Sequence, residues 1–170
     1  IKNDWEISPM SPTRMMYEIS NAIPKNTILV DDSVTSKEAI FRTMDFSEPN
    51  TYYSGSGGAL GWGMGAGLGI KLSNPDKPVL CIIGDGSAMM TIQGLWTASN
   101  YNIPVVNIIC NNSSYRVLKI NMDYYKNHVL NNTSKETSKY IGMNFPKRIN
   151  FEGISNSMGV QAQTILNPEK

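Results

Sequence analysis

Three short apolar runs punctuate the chain, at residues 27–30 (TILV), 79–83 (VLCII) and 105–110 (VVNIIC), and each stops abruptly on a polar cluster. The clusters are Asp31-Asp32-Ser33, Gly84-Asp85-Gly86-Ser87 and Asn111-Asn112. Runs this short and this uniformly apolar suit strands buried on both faces. Between them the apolar spacing switches to the helical period. Ser11-Pro12 supplies an N-cap hydroxyl and a proline for the first helical position, and Met15, Met16, Ile19 and Ile23 follow at helical spacing as far as Pro24. A second helix runs through Ala39, Ile40 and Met44, and further ones over 91–101 with Ile92, Leu95, Trp96 and Ala98, over 116–122 and, a short one, over 151–158. Residues 45–54 and 130–148 read as loop, the latter as a mobile one, and 160–165 as a last strand. Strands alternating with helices predict an α/β fold, an open, mostly parallel sheet with helices on both faces, built as one domain over residues 1–170.

Residues 55–69 contain eight glycines. Gly61-x-Gly63-x-x-Ala66 meets a loose dinucleotide fingerprint, but the preceding TYYSGSG is polar where that motif needs an apolar strand, and Asp85 belongs to its own strand end. The better reading is a glycine loop at 55–58 and a helix from about residue 59, with Gly61, Gly65 and Gly69 on one face for close packing.

At 170 residues and 41% hydrophobic the chain can bury a full core, and 15 basic against 14 acidic residues leave it near neutral. The basic residues form no patch, which speaks against nucleic acid and anionic membranes. Cys81 and Cys110 lie inside apolar runs and read as small buried hydrophobes, and His128, in a polar region, as a solvent-facing residue. No apolar stretch is long enough to span a bilayer, so a soluble, cytoplasmic protein is expected. A start at Ile1 and an end just after the final apolar run suggest a piece of something longer.

In an open parallel sheet, ligands gather at the carboxyl ends of the strands where strand order reverses. Asp85 and Asn112 stand 27 positions apart, the length of a strand end, a crossover helix and the next strand. One carboxylate and one amide oxygen, without histidine or thiolate, form a hard-oxygen set suited to magnesium or calcium. Magnesium held by few protein ligands implies a phosphate, and the helix after Ser87 offers N–H groups to one.

The GDGS and NN clusters, with GGALGWGMGAGLGIKL before them and LWTASNYNIP between, resemble the signature of thiamine diphosphate-dependent enzymes. The likeness is to the domain that binds the cofactor's diphosphate, most closely in benzoylformate decarboxylase and the acetolactate synthase group, and covers about residues 11–165. It implies that Asp85, Asn112 and the carbonyl of Ser114 hold Mg²⁺, while Gly86, Ser87 and Tyr115 meet the diphosphate and Thr35 or Ser36 reaches it from the other side. Leu60 would prop the cofactor in its bent form, Gly58 would offer its carbonyl to the pyrimidine, and Val117, Leu118 and Asn121 would face a 2-oxo acid substrate.

The same resemblance puts the catalytic glutamate on a separate pyrimidine-binding domain or subunit, so no catalytic residue is expected in this chain, and a homodimer or homotetramer is the expected assembly. Thr35-Ser36-Lys37 stands where acetolactate synthases carry a Gln-His pair, which tilts the expectation toward a decarboxylase. A carboligase, the small chain of a two-chain decarboxylase and a non-catalytic binding module remain the alternatives. Two cysteines 29 positions apart cannot ligate an iron–sulfur cluster, which sets aside the oxidoreductase relatives.

Overall fold

The computed structural model describes residues 5–130 and 140–168. Four strands, β1 (Ile28–Asp32), β2 (Tyr52–Ser54), β3 (Val79–Gly84) and β4 (Val106–Cys110), form one sheet in the order β2-β1-β3-β4. Every pair is parallel, with Leu29 opposite Tyr52, Asp32 opposite Ile83 and Gly84 opposite Cys110. The chain leaves β1 toward β2 on one side and then returns to β3 on the other. The carboxyl ends of β1 and β3 therefore flank the switch point.

Successive residues of the two central strands point to opposite faces, and each face has its own core. Ile28, Val30, Val79, Cys81 and Ile83 pack with Met64, Ala88 and Leu95 from helices α3 (Gly63–Ser73), α4 (Asp85–Met90) and α5 (Gly94–Asn100). Leu29, Leu80 and Ile82 pack with Met16, Ala39 and Ile40 from α1 (Pro12–Ala22) and α2 (Lys37–Thr43). This is the predicted sheet with helices on both faces. The start of α1 follows its sequence signature, since Ser11 Oγ accepts the Arg14 amide and Pro12 occupies the first helical position.

Several expectations are corrected. The segment 45–54, read as loop, ends in β2, an edge strand of three residues, with Tyr52 donating its hydroxyl to Asp31 Oδ2 at 2.7 Å. β1 runs on through both aspartates, and all five of its residues are buried. The glycine-rich helix begins at Gly63, not near 59, because Gly61 is left-handed at φ 82°. Its tight face carries Gly63 and Gly67, where an added Cβ would lie 2.6 Å from Asp32 Cβ and 2.2 Å from Cys81 Sγ. Gly65 and Gly69, expected to pack closely, face open space.

Residues 85–90 form a helix of their own, α4, ahead of the helix expected over 91–101, which is α5. Beyond β4 come α6 (Arg116–Tyr124), which continues as a π-helical turn (Tyr125–Val129), and α7 (Phe151–Ser157). The segment 160–165, read as a strand, joins no ladder. A strand is defined by its partner, and here a groove of about 490 Å³ lies between β4 and residues 162–166. Of the expected loop at 130–148, residues 131–139 lie outside the described residues. The remainder is tied down by the Ser114–Asn144 bridge, by the Tyr115 amide to the Met143 carbonyl at 3.0 Å and by the Phe145 amide to the Ser113 carbonyl at 2.9 Å.

Cys81 and Cys110 stand on adjacent strands but three rungs out of register, since Cys81 faces Asn107 and Cys110 faces Gly84, and both thiols are free. His128 is exposed and stacks on Tyr124. Among the described residues no helix is long and apolar enough to cross a membrane.

Candidate functional site

The end of β3 sets the site. Gly84 caps α4 in an ordinary extended conformation, and neither it nor Gly86 is left-handed. Gly86 serves a different need, because a Cβ there would meet the Tyr115 ring at 2.4 Å. Tyr115 lies over that glycine and packs edge-on against Phe145 with ring centroids 4.8 Å apart.

Asp85 opens α4 and is 3% exposed. Its Oδ1 accepts the Gly86 amide at 2.8 Å and its Oδ2 the Ser113 amide at 2.6 Å, while the amides of Asn112 and Ser114 also act on it. Burial pushes this carboxyl above its ordinary value, and the surrounding N–H groups pull it back by favouring the ionised form. The loop after β4 is thereby wrapped around the end of β3. That wrapping requires Ser113 to be left-handed at φ 53°, which costs roughly 1–2 kcal/mol for a residue with a side chain. Asn111 offsets part of that cost, its Oδ1 accepting both the amide and the hydroxyl of Ser113 at 3.2 Å.

Asp85, Asn112 and Ser114 line one cleft at the switch point, together with Gly86, Ser87, Tyr115, Leu60, Thr35, Ser36 and Val117. Ten of the thirteen residues singled out from the sequence thus converge. The three that stand outside that lining are Gly58, left-handed and exposed in the glycine loop, and Leu118 and Asn121, both exposed on α6. Helical spacing explains the split on α6, where Val117 turns inward and Leu118, one position on, is carried about 100° away. Ser36 is buried at the start of α2 and Thr35 is exposed; the Ser36 side chain makes no capping bond to the helix.

Two features escaped the sequence reading. Asp32, at the end of β1, is 4% exposed and also lines the cleft. Its Oδ2 accepts the amides of Gly61 and Gly63 at 3.0 and 3.1 Å, and its Oδ1 accepts the Ser87 hydroxyl at 3.1 Å. Burial raises its carboxyl above the ordinary range, opposed by these bonds. Ser113 is the other, its amide meeting Asp85. A second aspartate after an apolar run was the available sign of the first, and the Asn-Asn-Ser-Ser run of turn-forming residues was that of the second.

Besides Asp32, whose oxygens take the Gly61 and Gly63 amides and the Ser87 hydroxyl, the rim is lined by the Asp85 carboxylate, the Asn112 amide and Ser114. That is the chemistry of a hard divalent cation with few protein ligands, so the residues present fit Mg²⁺. A parallel sheet with a carboxylate at its switch point, small residues beside it and an apolar side chain across from it defines an α/β domain for a phosphorylated cofactor.

The family described as "Thiamine pyrophosphate enzyme, C-terminal TPP binding domain" matches residues 32–170, and the chain belongs to it. Benzoylformate decarboxylase of Pseudomonas aeruginosa is 35% identical over 114 residues, which is 67% of this chain and 22% of that protein. The acetolactate synthase large subunit of Buchnera aphidicola subsp. Schizaphis graminum is 43% identical over 121 residues, 69% of this chain and 20% of that one. The solved thiamine diphosphate-dependent 4-hydroxybenzoylformate decarboxylase of Rhodococcus jostii RHA1 superposes with a TM-score of 0.81 at 34% identity, over 95% of this chain and 28% of its own. The chain thus spans between a fifth and just over a quarter of the length of these relatives.

Proposed function

We propose that this chain grips Mg²⁺-thiamine diphosphate as the diphosphate-binding part of a 2-oxo acid decarboxylase of the benzoylformate decarboxylase kind. The observation that carries the reading is the convergence of Asp85 with the Asn112–Ser114 loop, fixed by the 2.6 Å bond from the Ser113 amide to Asp85 Oδ2. Asp85, Asn112 and the Ser114 carbonyl would hold the metal. Gly86, Ser87 and Tyr115 would border the diphosphate, with Thr35 and Ser36 on the side of α2. Leu60 would meet the ring portion of the cofactor, and Val117 the substrate side.

Bound thiamine diphosphate supplies the electron sink that lets a 2-oxo acid lose carbon dioxide. This chain's own part is to hold and orient. The cleft encloses only about 50 Å³, so a cofactor seated there leaves much of its surface for a second, pyrimidine-binding domain or subunit, which would also bring the glutamate. A homodimer or homotetramer is the assembly we propose for the whole enzyme. A carboligase reading is favoured by one observation, the 43% identity to an acetolactate synthase large subunit.

Calorimetry tests the grip. The wild-type chain is expected to bind thiamine diphosphate with Mg²⁺ and to lose that binding with EDTA, and Asp85→Ala to weaken it at least tenfold, since a buried charged ligand contributes more than about 1.4 kcal/mol. Equal affinity in both proteins, or with and without metal, would remove the site. Supplying a pyrimidine-binding domain and following carbon dioxide release from benzoylformate against condensation of pyruvate separates decarboxylase from carboligase.

A further inference from the structure

We propose that Asp32 is a positioning residue which holds Leu60 against the ring portion of the cofactor, and so sets the preference for the whole cofactor over its diphosphate tail. The inference rests on the function proposed above and concerns a residue that no part of that reading uses.

Leu60 lies on the cleft, 38% exposed, at the end of a glycine loop that has little to anchor it. What fixes it is the next residue. The Gly61 amide donates to Asp32 Oδ2 at 3.0 Å, and the Gly61 carbonyl accepts the Thr91 hydroxyl at 2.7 Å. Gly63 repeats the contact to Asp32, and its missing side chain lets the loop sit directly on the aspartate, where a Cβ would come within 2.6 Å of Asp32 Cβ. One buried carboxylate at the end of β1 therefore carries the amide that follows Leu60 and the first amide of α3.

Its other oxygen reaches the opposite side of the cleft. Ser87 donates its hydroxyl to Asp32 Oδ1, so that proton is committed and is not offered to an anion. Asp32 thus fixes the Leu60 side of the site by direct bonds while withholding one donor from the diphosphate side. Removing the carboxylate has opposite consequences on the two sides. The Leu60 bracket loosens, because hydrogen bonds to an ionised acceptor are roughly twice as strong as neutral ones. The Ser87 hydroxyl becomes free to turn toward phosphate oxygens.

The test measures two ligands on the same full chain, Mg²⁺-thiamine diphosphate and Mg²⁺-pyrophosphate, by calorimetry. Wild type is expected to prefer the cofactor, and Asp32→Asn, which keeps the shape, to narrow that preference by about tenfold. Pyrophosphate affinity should be held or raised. Thr91→Val removes the second anchor of Gly61, at its carbonyl, without touching Asp32 or Ser87, and should narrow the preference in the same direction. A purely structural role would lower both affinities together. That outcome overturns the proposal, as does an unchanged ratio in both variants. Wild type binding neither ligand in the presence of Mg²⁺ would instead bring down the proposed function itself, and this inference with it.

Discussion

At the scale of single residues, the site is assembled from side chains that stay buried and polar because backbone amides satisfy them. Asp85 and Asp32 are each less than 5% exposed, and each is ringed by N–H or O–H donors from segments far along the chain. Cys81 differs in that no N–H or O–H donor opposes its burial. Its thiol meets only the Gly63 carbonyl at 3.7 Å, and burial, with Asp32 nearby, pushes it up to about 12. The thiolate is the reactive species, so native Cys81 should resist alkylation at pH 8 and react at the ordinary rate once urea exposes it. Linkage has a definite sign here. The folded chain keeps a proton that the unfolded chain loses above its ordinary value near 9, so this thiol's contribution to stability falls as pH rises from about 9 toward about 12. Mass spectrometry of the alkylated peptide checks the first statement, and modification of native Cys81 as fast as in urea would contradict it.

At the scale of elements, α3 shows how a glycine-rich helix is docked. Gly63 and Gly67 face the sheet, one against Asp32 and the other against Cys81, whereas Gly65 faces open space. Substitution by alanine should therefore have opposite effects two residues apart. Gly67→Ala drives a methyl into the Cys81 sulfur and should cost about 1–3 kcal/mol. Gly65→Ala adds only helix propensity and should stabilise by up to about 1 kcal/mol. Urea midpoints of the two variants against wild type decide it, and shifts of the same sign would refute the docking register.

What was readable in the sequence follows the range of the forces involved. The start of α1 was legible because a cap is a local bond, and β3 and the first three residues of β1 because strand positions buried among apolar neighbours are themselves apolar; the two buried aspartates that complete β1 are held by bonds from distant residues. β2 was not, since three polar-looking residues become a strand only by pairing with β1. Residues 160–165 misled for the converse reason, alternating like a strand but finding no ladder. In the site, Asp85 and Asn112 were visible at the ends of apolar runs. The role of Asp32 was not, because its partners at Gly61, Gly63 and Ser87 lie between 29 and 55 residues away and only the fold brings them together.

At the scale of the whole molecule, the order β2-β1-β3-β4 makes a gradient of protection across the sheet. β1 and β3 are paired on both sides and covered on both faces, so their amides open only when the domain does. β4 is paired on one side only among the described residues, and Val106 at its start is 61% exposed. In a parallel sheet alternate amides of an edge strand point away from the partner. β4 should therefore exchange in an alternating pattern, half of its amides protected through β3 and half far faster, while 28–32 and 79–84 exchange uniformly slowly. The open half faces the groove of about 490 Å³ that also contains Asn107, whose buried Oδ1 has no hydrogen-bond partner. Native-state hydrogen exchange read by NMR resolves the individual amides. Uniform protection along β4, equal to that of β3, would show that this edge is paired in solution and that the sheet has a further strand beside it.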